Sequence, residues 1–253
     1  ALISQARGRK DFTYARRVFR MGVWLVSIAS LFSLAALTQT DQILRFLGQE
    51  DELISFAVEY MVIAKWTVLP FMIFTMFRSF LMSIDRTYII FWVSVIGLVF
   101  NAVLNYMLIF GKFGAPRLEI QGAAIASVSS SILMLLLILT YTQFSKSTRD
   151  FSLFKRIYRL DANTLIHVFK LGFPIGLTTL VEVSSFSAAT LLMGWVGKIQ
   201  LAAHGIVLTI FALFFMIPLG ISQAGTVRIA KTIGKKKLNK IGQVAFSIYG
   251  LGL

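Results

Sequence analysis

The sequence predicts an all-α integral membrane protein, and three observations lead to that fold class. First, 57% of the 253 residues are hydrophobic and only 14% are charged, with a mean hydropathy of +0.78. Second, six separate stretches are apolar and long enough to cross a bilayer, which takes about 20 helical residues. Third, the basic residues concentrate in alternate loops, as they do in multi-span proteins. A soluble domain, by comparison, carries about 25% charged residues.

The predicted spans follow one another along almost the whole chain. They cover residues 18–37, 56–82, 88–110, 122–144, 165–195 and 201–221, and a seventh begins near Leu238. Helices are required, because each unpaired backbone group in hydrocarbon costs several kcal/mol. The strands of a membrane barrel would alternate apolar and polar residues, and these stretches do not.

The 25 Lys and Arg residues predict the orientation in the membrane. Most of them lie in three loop segments, 1–17, 145–164 and 225–240, whereas the intervening loops carry few. Basic loops stay in the cytoplasm, so these three segments are predicted to be cytoplasmic. Within the second of them, residues 152–160 (SLFKRIYRL) predict a short interfacial helix. Contact with anionic lipid explains the net charge of +14 without a nucleic acid partner.

Several function classes lack the residues they need in this chain. It has no cysteine and only two histidines, His167 and His204, so disulfides and multi-histidine metal sites are not predicted. No phosphate-binding loop of the G-x-x-x-x-G-K-[ST] kind occurs, so nothing supports ATP as the energy source. An intramembrane enzyme would need paired carboxylates, a metal set or a Ser/His pair at membrane depth, and none is present. The sequence therefore predicts neither an enzyme nor a cofactor.

An internal repeat joins the first residues to the last loop. Residues 3–18 (ISQARGRKDFTYARRV) resemble residues 229–244 (IAKTIGKKKLNKIGQV) at a constant offset of 226. The repeat aligns Gly8 with Gly234, and each copy is a Gly-basic-basic turn that leads into a helix. Six spans separate the copies, and an even number of spans gives parallel repeats about an axis along the membrane normal.

Six short motifs resemble those of the multidrug and toxic compound extrusion (MATE) family, particularly its bacterial NorM-like branch. They are FRSF at 77–80, FNAVLNY at 100–106, GKFGAP at 111–116, LGFPIG at 171–176 with VEV at 181–183, AAHG at 202–205, and VRIAKTIG at 227–234. They follow the family's order over nearly the whole chain.

The resemblance implies a twelve-helix, two-lobe transporter of the bacterial inner membrane, of which this chain covers the third to eighth helices. Residues 1–144 would then form the latter part of the N-terminal lobe, 145–164 the connector between lobes, and 165–253 the start of the C-terminal lobe. The missing initiator Met and the apolar end of the sequence fit the expectation of a fragment.

Glu182 is the sharpest candidate for function. It lies near the middle of the apolar run 171–193, where a carboxylate costs at least ~2.5 kcal/mol on insertion scales. Thr178, Thr179 and Ser185 stand at helical spacing from it and form a polar stripe on one face. The functional interpretation is a site for Na⁺, H⁺ or an organic cation, with Glu182 as a Na⁺ ligand. The structural alternative is a carboxyl that only hydrogen-bonds a neighbouring helix. The resemblance supports the functional interpretation, because the glutamate of the family's seventh helix is a coupling-ion or substrate residue.

Other intramembrane features have two interpretations each. Lys65 could line a cavity or extend its side chain to the outer interface, and Asn101 and Asn105, at i and i+4, could bond a neighbouring helix or line the lumen. Phe71 and Phe74 could stack on aromatic cations or pack against other helices. The candidate kinks are Pro70, Pro174 and Pro218.

The sequence and the resemblance together predict an antiporter. Na⁺ or H⁺ entry would drive export of cationic, amphipathic compounds by alternating access of two lobes. A flippase for lipid-linked oligosaccharides, from the same superfamily, is the alternative, with an intramembrane enzyme a distant third. The predicted partners are the lipid bilayer and small cationic substrates, and the protein is predicted to be a monomer.

Overall fold

The computed structural model describes residues 1–46, 48, 51–155 and 158–252, and every regular element among them is a helix. In chain order the α-helices are α1 (Leu2–Gly8), α2 (Phe12–Leu37), α3 (Thr40–Phe46), α4 (Asp51–Ala64), α5 (Val68–Ser83), α6 (Thr87–Phe110), α7 (Glu119–Phe144), α8 (Lys146–Arg149), α9 (Ala162–Val196), α10 (Lys198–Gly234) and α11 (Ile241–Gly252). Short 3₁₀ helices occupy Lys65–Thr67 and Leu238–Lys240. The all-α fold class is thereby confirmed.

Within the described part of the chain, six helices or helix pairs are long and apolar enough to span a membrane, and they coincide with the six predicted spans. The second span, Ile54–Ser83, combines α4 and α5 across the first 3₁₀ helix. The sixth spanning helix extends beyond the predicted sixth span at its C-terminal end. Helix α10 continues to Gly234, so the first part of the predicted loop 225–240 is helical. Hydropathy falls where a helix leaves the bilayer, but backbone hydrogen bonding continues beyond that point.

The chain forms two compact units, and Phe19–Arg159 is one of them. Its helices α6 and α7 pack along each other over much of their length. Glycines permit the close approach, since Gly97 faces the side chain of Met134 and Gly122 lies against the backbone of Leu108. Small residues at such contacts are how helices approach closely in lipid.

An aromatic cluster holds one end of this unit together. Phe19 meets Phe77 and Phe80 edge-on, with ring centroids 5.0 and 5.2 Å apart. Phe151 meets Phe80 at 5.3 Å, and Phe154 stacks on Phe77 at 6.1 Å. Each such pair contributes about 0.5–1.5 kcal/mol beyond the area it buries. The start of the predicted connector is therefore anchored by its phenylalanines.

The predicted interfacial helix at 152–160 is not found in the part of it that is described. Helix α8 ends at Arg149, and residues 151–155 form turns rather than a helix. Arg156 and Ile157, like Glu50 in an earlier loop, lie outside the described residues. Burial of Phe151 and Leu153 explains the difference, because these side chains face the unit instead of lipid.

The second compact unit contains Ala1–Val18 and Leu160–Leu253. In it, α9 packs along α10, α10 contacts α11, and the short α1 lies against α10. A salt bridge of 3.8 Å from Arg17 to Asp161 ties the start of α2 to the start of α9. The predicted division into residues 1–144, 145–164 and 165–253 concerns lobes of a longer protein and stays a prediction.

Candidate cation site

Helix α9 carries the predicted site, and a side-chain cap defines its start. The carboxylate of Asp161 accepts from the backbone N–H of Thr164 at 3.2 Å and from its hydroxyl at 2.9 Å. From this cap the helix runs for 35 residues and passes through Pro174 without interruption. At 1.5 Å per residue, Glu182 stands about 30 Å from the cap and about 20 Å from the other end. Its carboxylate therefore lies well inside the apolar part of the helix.

The three hydroxyls beside Glu182 share one arrangement. Each donates its hydrogen to the carbonyl four residues earlier: Thr178 to Pro174 at 2.9 Å, Thr179 to Ile175 at 3.1 Å, and Ser185 to Val181 at 2.8 Å. This bond satisfies the hydrogen within the helix, which leaves the oxygen lone pairs pointing outward. The hydroxyls consequently act as acceptors toward whatever approaches this face of α9.

Glu182 itself is exposed at the surface of the chain, and the described residues give it no hydrogen bond or ion pair. The structural alternative of a carboxyl fixed to a neighbouring helix therefore finds no partner within the described residues. A carboxylate with hydroxyl oxygens beside it is a set of hard oxygen ligands, which suits hard cations. The residues of α9 thus fit a Na⁺ ion or a proton.

Lys65 lies at a break in the second span. Pro70 has no N–H to donate to the carbonyl of Trp66, and its ring clashes with that carbonyl in an α-helix. The backbone tightens into the 3₁₀ helix over Lys65–Thr67 before α5 begins. Such a short 3₁₀ stretch inside a helix is a frequent site of hinges. Lys65 is half-buried in this break, and Pro218, in contrast, lies inside α10 without interrupting it.

An apolar cavity of about 300 Å³ lies beside the break. Its lining residues come from the second span and α7, and they are Trp66, Leu69, Pro70, Ile73, Val128, Ile132 and Leu135. Neither predicted aromatic residue lines it. Phe74 is buried against its own unit, whereas Phe71 is exposed, with the two ring centroids 6.4 Å apart.

The asparagine pair on α6 bonds within its own helix. Asn105 donates from Nδ2 to Oδ1 of Asn101 at 2.9 Å. This hydrogen bond joins the two side chains to each other and links them neither to a neighbouring helix nor to a ligand in the lumen. Oδ1 of Asn105 is buried and has no hydrogen-bond partner within the described part of the chain. That oxygen remains available to a donor from outside.

The structure thus brings four predicted residues together on one helix. Glu182, Thr178, Thr179 and Ser185 share one face of α9, in the unit that contains Leu160–Leu253. Lys65, the asparagine pair and the two phenylalanines belong to the unit Phe19–Arg159. One feature escaped prediction altogether: Gly8 and Gly234, which the repeat aligns with each other, are in direct contact.

These features define a class of protein: a polytopic α-helical membrane protein with an ionisable, oxygen-lined stripe inside one span, as transporters have. The family model MatE matches residues 1–107 and 174–253. The chain therefore belongs to the MatE family, and the resemblance drawn from its motifs is confirmed.

Curated relatives and solved structures agree with this assignment. The chain is 41% identical to a "Probable multidrug resistance protein NorM" of Rhizobium meliloti and 38% identical to one of Agrobacterium fabrum. These matches cover 100% and 99% of the chain but 54% of each relative, so the chain spans about half their length. Six spans and these bacterial relatives identify a multi-pass protein of the bacterial inner membrane.

Two crystal structures show the same fold at low sequence identity. The eukaryotic MATE transporter AtDTX14 matches with a TM-score of 0.85 at 21% identity, over 98% of this chain and 54% of that one. A mutant of the Vibrio cholerae MATE transporter VcmN matches with a TM-score of 0.76 at 20% identity, over 96% and 54%. The helical architecture is therefore that of part of a MATE transporter.

Proposed function

We propose that the complete protein is an antiporter that exports cationic, amphipathic compounds in exchange for Na⁺ or H⁺. The observation that carries this proposal is Glu182, a carboxylate inside an apolar span that has no partner among the described residues and has three hydroxyl oxygens on the same face. A charge in this position costs at least ~2.5 kcal/mol on insertion scales. Binding of a cation or a proton offsets that cost whenever the site is occupied.

Competition at this site couples the two fluxes. An ionised Glu182 attracts either the coupling cation or a cationic substrate, and both cannot neutralise the same carboxylate at once. Entry of Na⁺ or H⁺ from outside therefore displaces the substrate. Exit of the ion toward the cytoplasm then frees the site for the next substrate molecule. Alternating access of the two lobes separates these events in space.

The substrate class follows from charge and apolar surface together. A carboxylate selects for positive charge, while the surrounding spans offer aliphatic and aromatic contacts to the remainder of an amphipathic molecule. The relatives named as multidrug resistance proteins support this class. A flippase for lipid-linked oligosaccharides would need a more densely charged cavity. Among the described residues, Glu182 and Lys65 are the only charged side chains deep within the spans, so no observation favours a flippase.

The test is drug efflux by the complete protein reconstituted in vesicles, with Glu182→Gln as the central variant. We expect the Gln variant to lose at least 90% of ion-driven efflux, because it is nearly isosteric and cannot bind a cation as a carboxylate does. Glu59→Gln is the matched control. The Glu59 carboxylate lies in the second span, belongs to the unit Phe19–Arg159, and accepts a hydrogen bond from Gln121 at 3.0 Å.

Two gradients imposed separately identify the ion. Efflux that follows an inward Na⁺ gradient at constant pH assigns Na⁺, and efflux that follows an inward pH gradient without Na⁺ assigns H⁺. Undiminished efflux by the Glu182→Gln variant would remove this residue from the mechanism and overturn the proposal.

A further inference from the structure

The two copies of the internal repeat end their helices with the same pair of backbone hydrogen bonds. At the end of α1, the N–H groups of Lys10 and Asp11 donate to the carbonyls of Arg7 and Ala6, at 3.1 and 3.0 Å. At the end of α10, the N–H groups of Lys236 and Lys237 donate to Ile233 and Thr232, at 2.9 and 3.3 Å, which are the same positions 226 residues later. Both ends are Schellman caps.

The glycine of each copy does not serve the cap. A Schellman cap needs its left-handed residue just after the helix, and there both copies have lysine: Lys10 with φ 60° and Lys236 with φ 56°. Gly8 and Gly234 stand two residues earlier, inside the last helical turn, where any residue type is sterically allowed. Glycine is therefore required at both positions because a neighbouring group packs close to the backbone, and not because the backbone conformation excludes other residues.

That space is filled by the other copy. A Cβ atom added to Gly8 would lie 2.5 Å from the carbonyl oxygen of Lys231 and 2.8 Å from Cα of Gly234. A Cβ added to Gly234 would overlap the carbonyl oxygen of Gln5. Gln5 and Lys231 are themselves equivalent in the repeat, so each copy offers the same carbonyl to the other's glycine. The contact is isologous, like that across a two-fold axis.

The contact brings two helix C-termini together, with their partial negative charges. The turns that follow the two termini carry five exposed basic residues and one exposed carboxylate, and they are Arg9, Lys10, Lys235, Lys236, Lys237 and Asp11. Lysines and arginines stabilise each terminus by itself, but two such clusters repel each other when the termini meet. Close glycine packing and charge repulsion thus oppose each other at one point, which makes the contact separable.

We propose that Gly8 and Gly234 are the contact that closes the cytoplasmic side of the transporter, and that this contact parts when the substrate path opens toward the cytoplasm. The inference rests on the proposed transport function and on the predicted cytoplasmic location of both copies. Gly8 and Gly234 are accordingly positioning residues: they bind neither ion nor substrate, and they set how completely one side closes.

Accessibility of a single cysteine tests the closure without any transported compound. Ser4 is fully buried on α1, and the chain has no native cysteine, so Ser4→Cys introduces one reporter once any cysteines elsewhere in the full-length protein are replaced. We expect a membrane-impermeant maleimide, applied from the cytoplasmic side, to label it at least tenfold faster when Gly8→Ala and Gly234→Ala are combined. Gly242→Ala is the matched control, because a Cβ there meets nothing within 4 Å. Unchanged labelling in the double variant would overturn the proposal.

A cross-link tests the same contact with both glycines intact, in case the alanine variants fold poorly. Arg9 and Lys235 are exposed, equivalent in the repeat and adjacent to the two glycines. With Arg9→Cys and Lys235→Cys, a short reducible bis-maleimide should lower efflux at least tenfold, and reduction should restore it; each single cysteine is the control. Full efflux by the cross-linked protein would refute a contact that must part. If the parent exports nothing, the transport proposal fails, while the labelling result still decides the closure.

Discussion

The two copies of the internal repeat end a helix in the same way and begin the next one differently. In the first copy Asp11 caps α2, its carboxylate accepting from the backbone N–H of Tyr14 at 2.8 Å. In the second copy the equivalent position is Lys237, whose side chain has no acceptor atom. There the chain passes through the 3₁₀ helix Leu238–Lys240 before α11 begins. The shared part of the repeat is therefore the helix end and its glycine, whereas the following helix start is free to vary.

This difference indicates which feature of the repeat is tied to the contact between copies. Gly8 and Gly234 face each other, and a Schellman cap follows each of them. The N-cap residues lie beyond that turn, where one copy tolerates a lysine. If the contact determines the shared geometry, substitutions at the glycines should have larger effects than substitutions at the caps.

The largest effect on stability is expected at Gly234. Gly234→Ala places a methyl group onto the carbonyl of Gln5, and forced overpacking of this kind costs about 1–3 kcal/mol. Gly8→Ala should cost less, because its Cβ meets the carbonyl of Lys231 at a longer distance. Amide hydrogen exchange over α1 and the end of α10 in the full-length protein measures both.

The sign of the stability change caused by a glycine-to-alanine substitution distinguishes steric crowding from helix propensity. Glycine to alanine in the middle of an uncrowded helix stabilises by about 0.5–1 kcal/mol, and Gly242→Ala, in the first turn of α11, should show part of that gain. Equal stabilisation of the helix by alanine at Gly234 and at Gly242 would mean that the two copies do not need to approach closely. It would contradict the explanation of the shared helix ends by the contact between the glycines.

Much of the fold could be predicted because lipid leaves few alternatives. Runs of apolar residues had to be helices, and five of the six span predictions end within a few residues of the observed helix ends. The helices that were missed, such as α1 and α3, are short and have no apolar run, so neither length nor hydropathy identified them. The extension of α10 to Gly234 was missed for the same reason, since it continues past the apolar run.

Some features of the candidate site and of the internal repeat could be predicted from the sequence, and others could not. The spacing of Thr178, Thr179 and Ser185 around Glu182 already placed them on one helix face, because residues three or four positions apart lie on the same side of a helix. Their bonds to the preceding carbonyls are local too, and could have been anticipated. The contact between Gly8 and Gly234 could not be, because alignment shows that two residues are equivalent and says nothing about whether they touch.

An intermediate effect is expected at the N-cap that distinguishes the copies. Asp11→Ala removes the acceptor for the N–H of Tyr14 and should destabilise the first turn of α2 by about 1 kcal/mol. Asp11→Asn keeps an acceptor and should cost only a few tenths of that, which separates the hydrogen bond from the charge. Conversely, Lys237→Asp should give the second copy a cap and slow amide exchange at residues 238–241. Faster exchange there would show that the 3₁₀ start is required by its surroundings.

The smallest effect is expected at the two left-handed lysines. A non-glycine residue at positive φ is strained, so Lys10→Gly or Lys236→Gly should stabilise its cap by about 0.5–1 kcal/mol. The amides of residues 10 and 11, or of 236 and 237, would then exchange about two- to fivefold more slowly, since 1.4 kcal/mol corresponds to about tenfold. Lysine to alanine at each position is the matched control, because it removes the charge and keeps the Cβ. Equal slowing by alanine and glycine would assign the gain to relieved repulsion between the basic turns, rather than to backbone strain shared by both copies.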